Sequence, residues 1–165
     1  MRERLKQLSS TERQRQSRQI CESILPLLSG RKSIALFAPT LTEPGLDILW
    51  EIAPQGHHVV GYPRCDGGTL SFRPVSALSE LLPGQFGIRA PNPGPGLEQL
   101  DLIIVPGLAF TSEGWRLGRG SGYYDRFLSG IPGTTFKVGV CFDFQFLAEI
   151  PHEPHDVKMD VVVCR

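Results

Sequence analysis

The run Leu102-Ile-Ile-Val105, closed by Pro106-Gly107 and followed by Leu108-Ala-Phe-Thr-Ser-Glu-Gly-Trp-Arg-Leu-Gly-Arg-Gly-Ser-Gly-Tyr-Tyr-Asp-Arg-Phe-Leu128, sets the architecture. Four unbroken apolar residues bounded by turn formers read as a strand buried on both faces. A glycine-rich connection comes next, and from Tyr123 the spacing turns helical, with Tyr124 and Leu128 sharing one face. A strand that feeds a loop and then a helix is the building unit of a parallel sheet.

Comparable β-like runs lie at Ser33 to Phe37, His58 to Tyr62, Lys137 to Cys141 and Val161 to Val163, separated by helical or turn-rich stretches. Ser9-x-x-Glu12 is a capping-box pattern, and Ile20, Ile24, Leu27 and Leu28 recur at helical spacing before Gly30, which predicts an N-terminal amphipathic helix. Its arginines, Arg13, Arg15 and Arg18, read as a solvated face. The expected class is α/β, with a mainly parallel sheet covered by helices on both faces. Residues 1–165 are expected to form a single domain, because the segments flanking Pro91-Asn-Pro-Gly-Pro-Gly96 are each too small to stand alone.

The 17 basic and 17 acidic residues cancel, which removes the global field that would recruit nucleic acid or a membrane surface. Binding must come from a local site. Cys21, Cys65, Cys141 and Cys164 lack paired spacing, and no apolar run approaches membrane-spanning length. A cytoplasmic protein with reduced, buried thiols is expected, as a monomer or weak dimer.

The local site is the glycine loop. Gly114, Gly118, Gly120 and Gly122 let the backbone approach a ligand closely, so that exposed amides face phosphate oxygens at the start of the following helix. Arg116 and Arg119 add fork-shaped cationic donors, and Asp125 brings a hard oxygen suited to magnesium shared with a nucleotide's phosphates. The spacing matches neither Gly-x-x-x-x-Gly-Lys-Ser/Thr nor Gly-x-Gly-x-x-Gly. From the residues alone, a structural turn with solvated arginines and core tyrosines is an equal alternative. If the strands at Ser33 and Leu102 are neighbours, their carboxyl-end connections face one crevice, which puts Glu43 within reach of the loop.

Leu117 to Leu128, preceded by Asp101 to Phe110 and by Gly114-x-Arg116, resembles the signature of the 5-formyltetrahydrofolate cyclo-ligase family, also called methenyltetrahydrofolate synthetase. The resemblance extends through Pro39 to Glu43, Tyr62-Pro63, Leu70 to Phe72, Gly87 to Pro91 and His155-Asp156 to Asp160. It implies an enzyme that uses ATP and Mg2+ to convert 5-formyltetrahydrofolate into 5,10-methenyltetrahydrofolate, releasing ADP and phosphate. Carried over residue by residue, it implies ATP contacts from Arg116, Leu117, Gly118, Arg119, Gly120, Ser121, Gly122, Tyr123 and Tyr124. Folate contacts would come from Glu43 and from Arg119 through Tyr123. Asp125 and Asp156 would hold the metal, and Arg116, Arg119 and Tyr123 would serve the chemistry.

Each assignment has a plainer alternative. Glu43 can cap a helix beginning near Pro44-Gly45, Asp156 can be a solvated carboxylate, and the tyrosines can be core residues. His152 and His155 flank Pro154, which prevents a regular helix from presenting them together to a metal. The family's basic arm ahead of the Ser9 helix is only partly present here, with Arg2 and Arg4 out of register with it, while Ser121 replaces a common lysine and Thr111 a common aspartate. The alternatives to a full enzyme are a folate- or nucleotide-binding member of the family with weak or no catalysis, or a sugar-phosphate enzyme that uses the loop for a phosphate ester.

Overall fold

A computed structural model of the chain describes residues 1–52 and 58–165. The N-terminal part comprises α1 (Arg2–Gln7), α2 (Ser10–Leu28), β1 (Ser33–Ala35), α3 (Leu49–Ile52), β2 (Val59–Asp66) and β3 (Thr69–Val75). Then come the short strands β4 (Leu82–Pro83) and β5 (Arg89–Ala90), followed by β6 (Leu102–Pro106), β7 (Ala109–Phe110), β8 (Arg116–Leu117), α4 (Tyr123–Gly130), β9 (Phe136–Cys141) and β10 (Val161–Cys164). The main sheet has the order β10-β9-β6-β1-β2-β3, and every pairing in it is parallel except β2 with β3.

The apolar run of β6 explains its central place. Leu102 and Ile104 point to one face, where they pack with Ile20, Ile24 and Leu28 of α2. Ile103 and Val105 point to the other, where they meet Leu128 of α4 together with Phe72, Phe110 and Met159. The first four of the five β6 residues are fully buried, as a strand covered on both faces requires. Helical cover is heavier on the α2 side, which α1 and α3 extend through Leu5 and Leu49.

At the amino ends of β1 and β6, the Asp101 carboxylate accepts hydrogen bonds from the backbone N–H groups of Lys32 (2.6 Å) and Ser33 (3.0 Å). These two bonds hold its pKa below the ordinary aspartate range and pin the strand register.

Two expectations about the N-terminal region change. Ser9 caps α2 by accepting the Glu12 N–H, but the Glu12 carboxylate turns away to Arg15 and Gln16, which pull its pKa down to about 2. Arg13 does not lie on a solvated face. Its guanidinium donates to the carbonyls of Leu5 (3.2 Å) and Leu8 (3.1 Å), closing the end of α1 against α2.

The antiparallel edge strand β3 is a further addition to the expected sheet. It follows β2 through the two-residue turn Gly67-Gly68, whose φ angles of 57° and 86° suit the tight hairpin that pairs Asp66 with Thr69.

Candidate functional site

Strand order reverses direction between β1 and β6, since the chain leaves β1 toward β2 on one side and leaves β6 toward β9 on the other. In such sheets the carboxyl-end connections part at this point and open a crevice. The connection after β1 carries Glu43, and the one after β6 carries the glycine loop.

The loop is anchored from below by Arg116, whose side chain is only 5% exposed. Its guanidinium donates to the Pro106 carbonyl at the end of β6 (3.2 Å), forms a close ion pair with Asp125 in the first turn of α4, and lies 5.7 Å from the Tyr124 ring centroid. Gly118 packs closely over it, and a Cβ there would sit 3.2 Å from the Arg116 guanidinium. Arg116 therefore ties strand, loop and helix together.

Arg119 instead reaches across the crevice. Its Nε and Nη2 lie 3.1 Å and 3.0 Å from Glu43 Oε1, and Nη2 also donates to Thr42 Oγ1 at 3.1 Å. The second oxygen of Glu43 accepts the Thr40 N–H at 2.8 Å. The Glu43 side chain is 8% exposed and that of Arg119 is 38% exposed, so the carboxylate is the more confined partner. No helix begins at Pro44-Gly45, where a capping role for Glu43 would have required one. Glu43 closes its own turn and faces the loop.

Above Arg116 the backbone is open. Among the described residues, no backbone N–H from Gly118 to Gly122 finds a protein acceptor. The carbonyls are engaged instead, since Arg2 Nη2 donates to the Arg119 carbonyl (3.3 Å), and Arg126 donates to those of Ser121 (3.3 Å) and Gly68 (3.4 Å). Gly122 precedes α4 as its N-terminal cap with φ of 67°, and Arg126 folds back so closely that a Cβ on Gly122 would lie 2.7 Å from its guanidinium. Free amides rimmed by Arg2, Arg119 and Arg126 form a surface suited to an anion. The sequence pointed to neither Arg126 nor a loop contact for Arg2, which reads there as out of register with the basic arm and yet reaches the loop. Arg126 had a local signal, four residues after Gly122, whereas Arg2 lies 117 residues from its partner.

The tyrosines divide. Tyr123 is half-buried beside the Arg126 guanidinium, 5.3 Å from its ring centroid. Tyr124 packs edge-on against Phe72, and its hydroxyl is buried without a hydrogen-bond partner among the described residues. Burial pushes the Tyr124 pKa up strongly, and the neighbouring Glu43 adds to the shift. An unpaired buried hydroxyl costs roughly 1–3 kcal/mol, so this atom gains from any ligand group that reaches it.

The two candidate metal aspartates are differently placed. Asp125 is 44% exposed and spends one oxygen on Arg116. Asp156 accepts the Glu153 N–H at 2.8 Å. Among the described residues no group of three or more His, Cys, Asp or Glu side chains forms a metal cage. Each aspartate keeps one oxygen without a protein partner among the described residues, and magnesium needs few protein ligands when it is shared with phosphates. The four cysteines are free thiols, with Cys21 and Cys141 buried. Thr111 is buried, and its hydroxyl accepts the Trp115 N–H (3.2 Å), so it shapes the turn between β7 and β8. No helix among the described residues is long and apolar enough to cross a membrane.

The whole chain, residues 1–165, matches the model of the 5-formyltetrahydrofolate cyclo-ligase family. A 5-formyltetrahydrofolate cyclo-ligase of Mycolicibacterium smegmatis is 37% identical over 150 residues, covering 88% of this chain and 73% of its own. One from Mus musculus is 31% identical, covering 99% and 89%. Among solved structures, the 5,10-methenyltetrahydrofolate synthetase of Aquifex aeolicus superposes with a TM-score of 0.85 at 35% identity, over 98% of this chain and 84% of that one.

Proposed function

This chain belongs to the 5-formyltetrahydrofolate cyclo-ligase family, and from that premise we propose that it performs the ATP- and Mg2+-dependent cyclisation of 5-formyltetrahydrofolate to 5,10-methenyltetrahydrofolate. The observation that carries the reading is the row of free loop amides from Gly118 to Gly122, rimmed by cations and joined across the crevice to Glu43 by Arg119.

The formyl oxygen of an N-formyl group is a poor leaving group. Transfer of the γ-phosphoryl group of ATP to that oxygen, with release of ADP, makes it a good one. Attack by N10 on the formyl carbon, with loss of the N10 proton to solvent, then closes the ring, and the oxygen departs as inorganic phosphate. The protein's task is to align the two ligands and to stabilise phosphoryl charge.

The loop amides and Arg119 receive the phosphates, and Arg119, more exposed than the buried Arg116, turns to the developing charge once Glu43 engages the folate. Arg116 acts from beneath by fixing Asp125 and the start of α4. Glu43 accepts hydrogen bonds from the amino and ring N–H groups of the pterin, which requires Arg119 to release or share its carboxylate when folate enters. Tyr123 offers a flat face and a hydroxyl beside the folate, and the buried, unpaired Tyr124 hydroxyl meets the nucleotide only if the loop shifts to uncover it. Asp125 and Asp156 would hold the magnesium ion, which when bound neutralises charge on the phosphate oxygens.

The test follows 5,10-methenyltetrahydrofolate by its near-ultraviolet absorbance. The expected result is an increase that needs both ATP and magnesium. No increase, together with tight folate binding by calorimetry, would establish a binding protein in place of an enzyme.

A further inference from the structure

The turn between β7 and β8 grips the stretch ahead of β10 through contacts that the reaction above does not use. Trp115 lies flat on His152, with ring centroids 4.0 Å apart and planes 15° apart. Lys158 Nζ sits 4.3 Å from the centroid of the same indole and also pairs with Glu113 at 3.6 Å. A hydrogen bond between His152 Nδ1 and the Ile150 carbonyl, at 3.2 Å, fixes the imidazole. Next to the stack the two backbones join, the Met159 N–H donating to the Gly114 carbonyl at 2.8 Å. Gly114 comes so close that any Cβ there would overlap the Met159 carbonyl.

These contacts hold the chain at two places, His152 and Lys158–Met159, and the turn between them carries Asp156. The residue after Trp115 is Arg116, which holds Asp125. Trp115 thus touches both flanks of the segment that carries Asp156, and the next residue in the chain pairs with Asp125.

We propose that Trp115 is a positioning residue that sets the Asp156 turn relative to Asp125, and so fixes the affinity of the site for magnesium bound with nucleotide. The inference rests on the reading of Asp156 as a metal ligand. A flat aromatic ring at residue 115 is what the role needs, because the stack on His152 is face to face. The indole N–H is not required.

The experiment compares Trp115→Ala, Trp115→Phe, His152→Ser and Asp156→Asn. Turnover is measured against magnesium at saturating ATP and folate, and binding of Mn2+·ATP to the protein is measured without folate by enhancement of the water-proton relaxation rate. Trp115→Ala and His152→Ser should each raise the half-saturating metal concentration about three- to tenfold in both measurements, the range that aromatic stacking supports. Turnover at saturating metal should stay within about twofold, and Trp115→Phe should restore metal affinity, as expected of positioning alone.

His152 is exposed, so its replacement opens no hole in the protein and keeps the test valid if Trp115→Ala folds poorly. If Asp156→Asn weakens metal binding while His152→Ser and Trp115→Ala do not, the positioning role is overturned and the metal role stands. If Asp156→Asn leaves metal binding unchanged, the metal reading of Asp156 fails and the inference falls with it. Lost turnover that saturating metal does not recover and that Trp115→Phe does not rescue also overturns it.

Discussion

Replacing Arg119 by alanine separates the pairing of Arg119 with Glu43 from its proposed role in transfer. The Glu43 carboxylate is nearly buried, and without the guanidinium it keeps only the Thr40 N–H on its other oxygen. Removing one member of a fully buried ion pair costs about 3–5 kcal/mol. Here Arg119 is 38% exposed and water can enter the crevice in its place, which brings the cost of Arg119→Ala down to about 2 kcal/mol. Glu43→Gln should cost less, about 1 kcal/mol, because glutamine still accepts a hydrogen bond and the freed guanidinium rehydrates.

In the double variant no carboxylate is left stranded, so its loss should fall short of the sum of the single losses by about 1–2 kcal/mol. Urea unfolding of the four proteins measures this coupling. Turnover, followed by the absorbance of the methenyl product under conditions where each variant is folded, should fall about a hundredfold or more for Arg119→Ala, the usual effect of removing a donor aimed at developing charge. Strictly additive stabilities would refute the pairing across the crevice. Unchanged turnover in Arg119→Ala would refute its place in the chemistry.

Gly139→Ala should destabilise by about 1–3 kcal/mol in a thermal or urea melt, since the new Cβ would meet the fully buried Phe110 ring at 2.5 Å and 2.8 Å; Gly133→Ala, with nothing within 4 Å, is the control. The depressed pKa of Asp101 makes a pH-dependent claim. Its stabilisation is fully present above the unfolded value of about 3.9 and is lost as pH falls through the lower folded value. Asp101→Asn should therefore be about 1 kcal/mol less stable than the parent near pH 6, and the gap should close in strong acid; a gap that persists at low pH contradicts the assignment. Burial pushes the Cys21 thiol up to about 12 and the Cys141 thiol higher still. Neither should react with an aromatic disulfide reagent at pH 8 until urea unfolds the chain, and rapid labelling of the native protein would count against the packing of α2 or β9.

What the sequence made legible was mostly local. The strands at Leu102, Lys137 and Val161 sit within a residue of their expected bounds because unbroken apolar runs between turn residues have few other uses. The edge strand β3 was hidden by Arg73 and Pro74, which break its alternation, although the Gly67-Gly68 turn announced the hairpin. The same division runs through the site. The glycine loop and its arginines could be marked as a unit because they are contiguous, but contiguity does not say which arginine is buried. Arg116 and Arg119 are three residues apart and chemically identical; one becomes an anchor and the other spans the crevice because β8 directs the first beneath the loop. Long-range partners were legible only where strand order or a family pattern pointed to them, as for Glu43, which meets Arg119 across 76 residues. Arg2 meets the loop across 117 residues of chain, and Trp115 finds His152 only because the hairpin and the approach to β10 share one side of the sheet's end. Side chains such as these join segments far apart in the chain around a motif that is itself contiguous, which is why the motif could be read from the sequence and its supports could not.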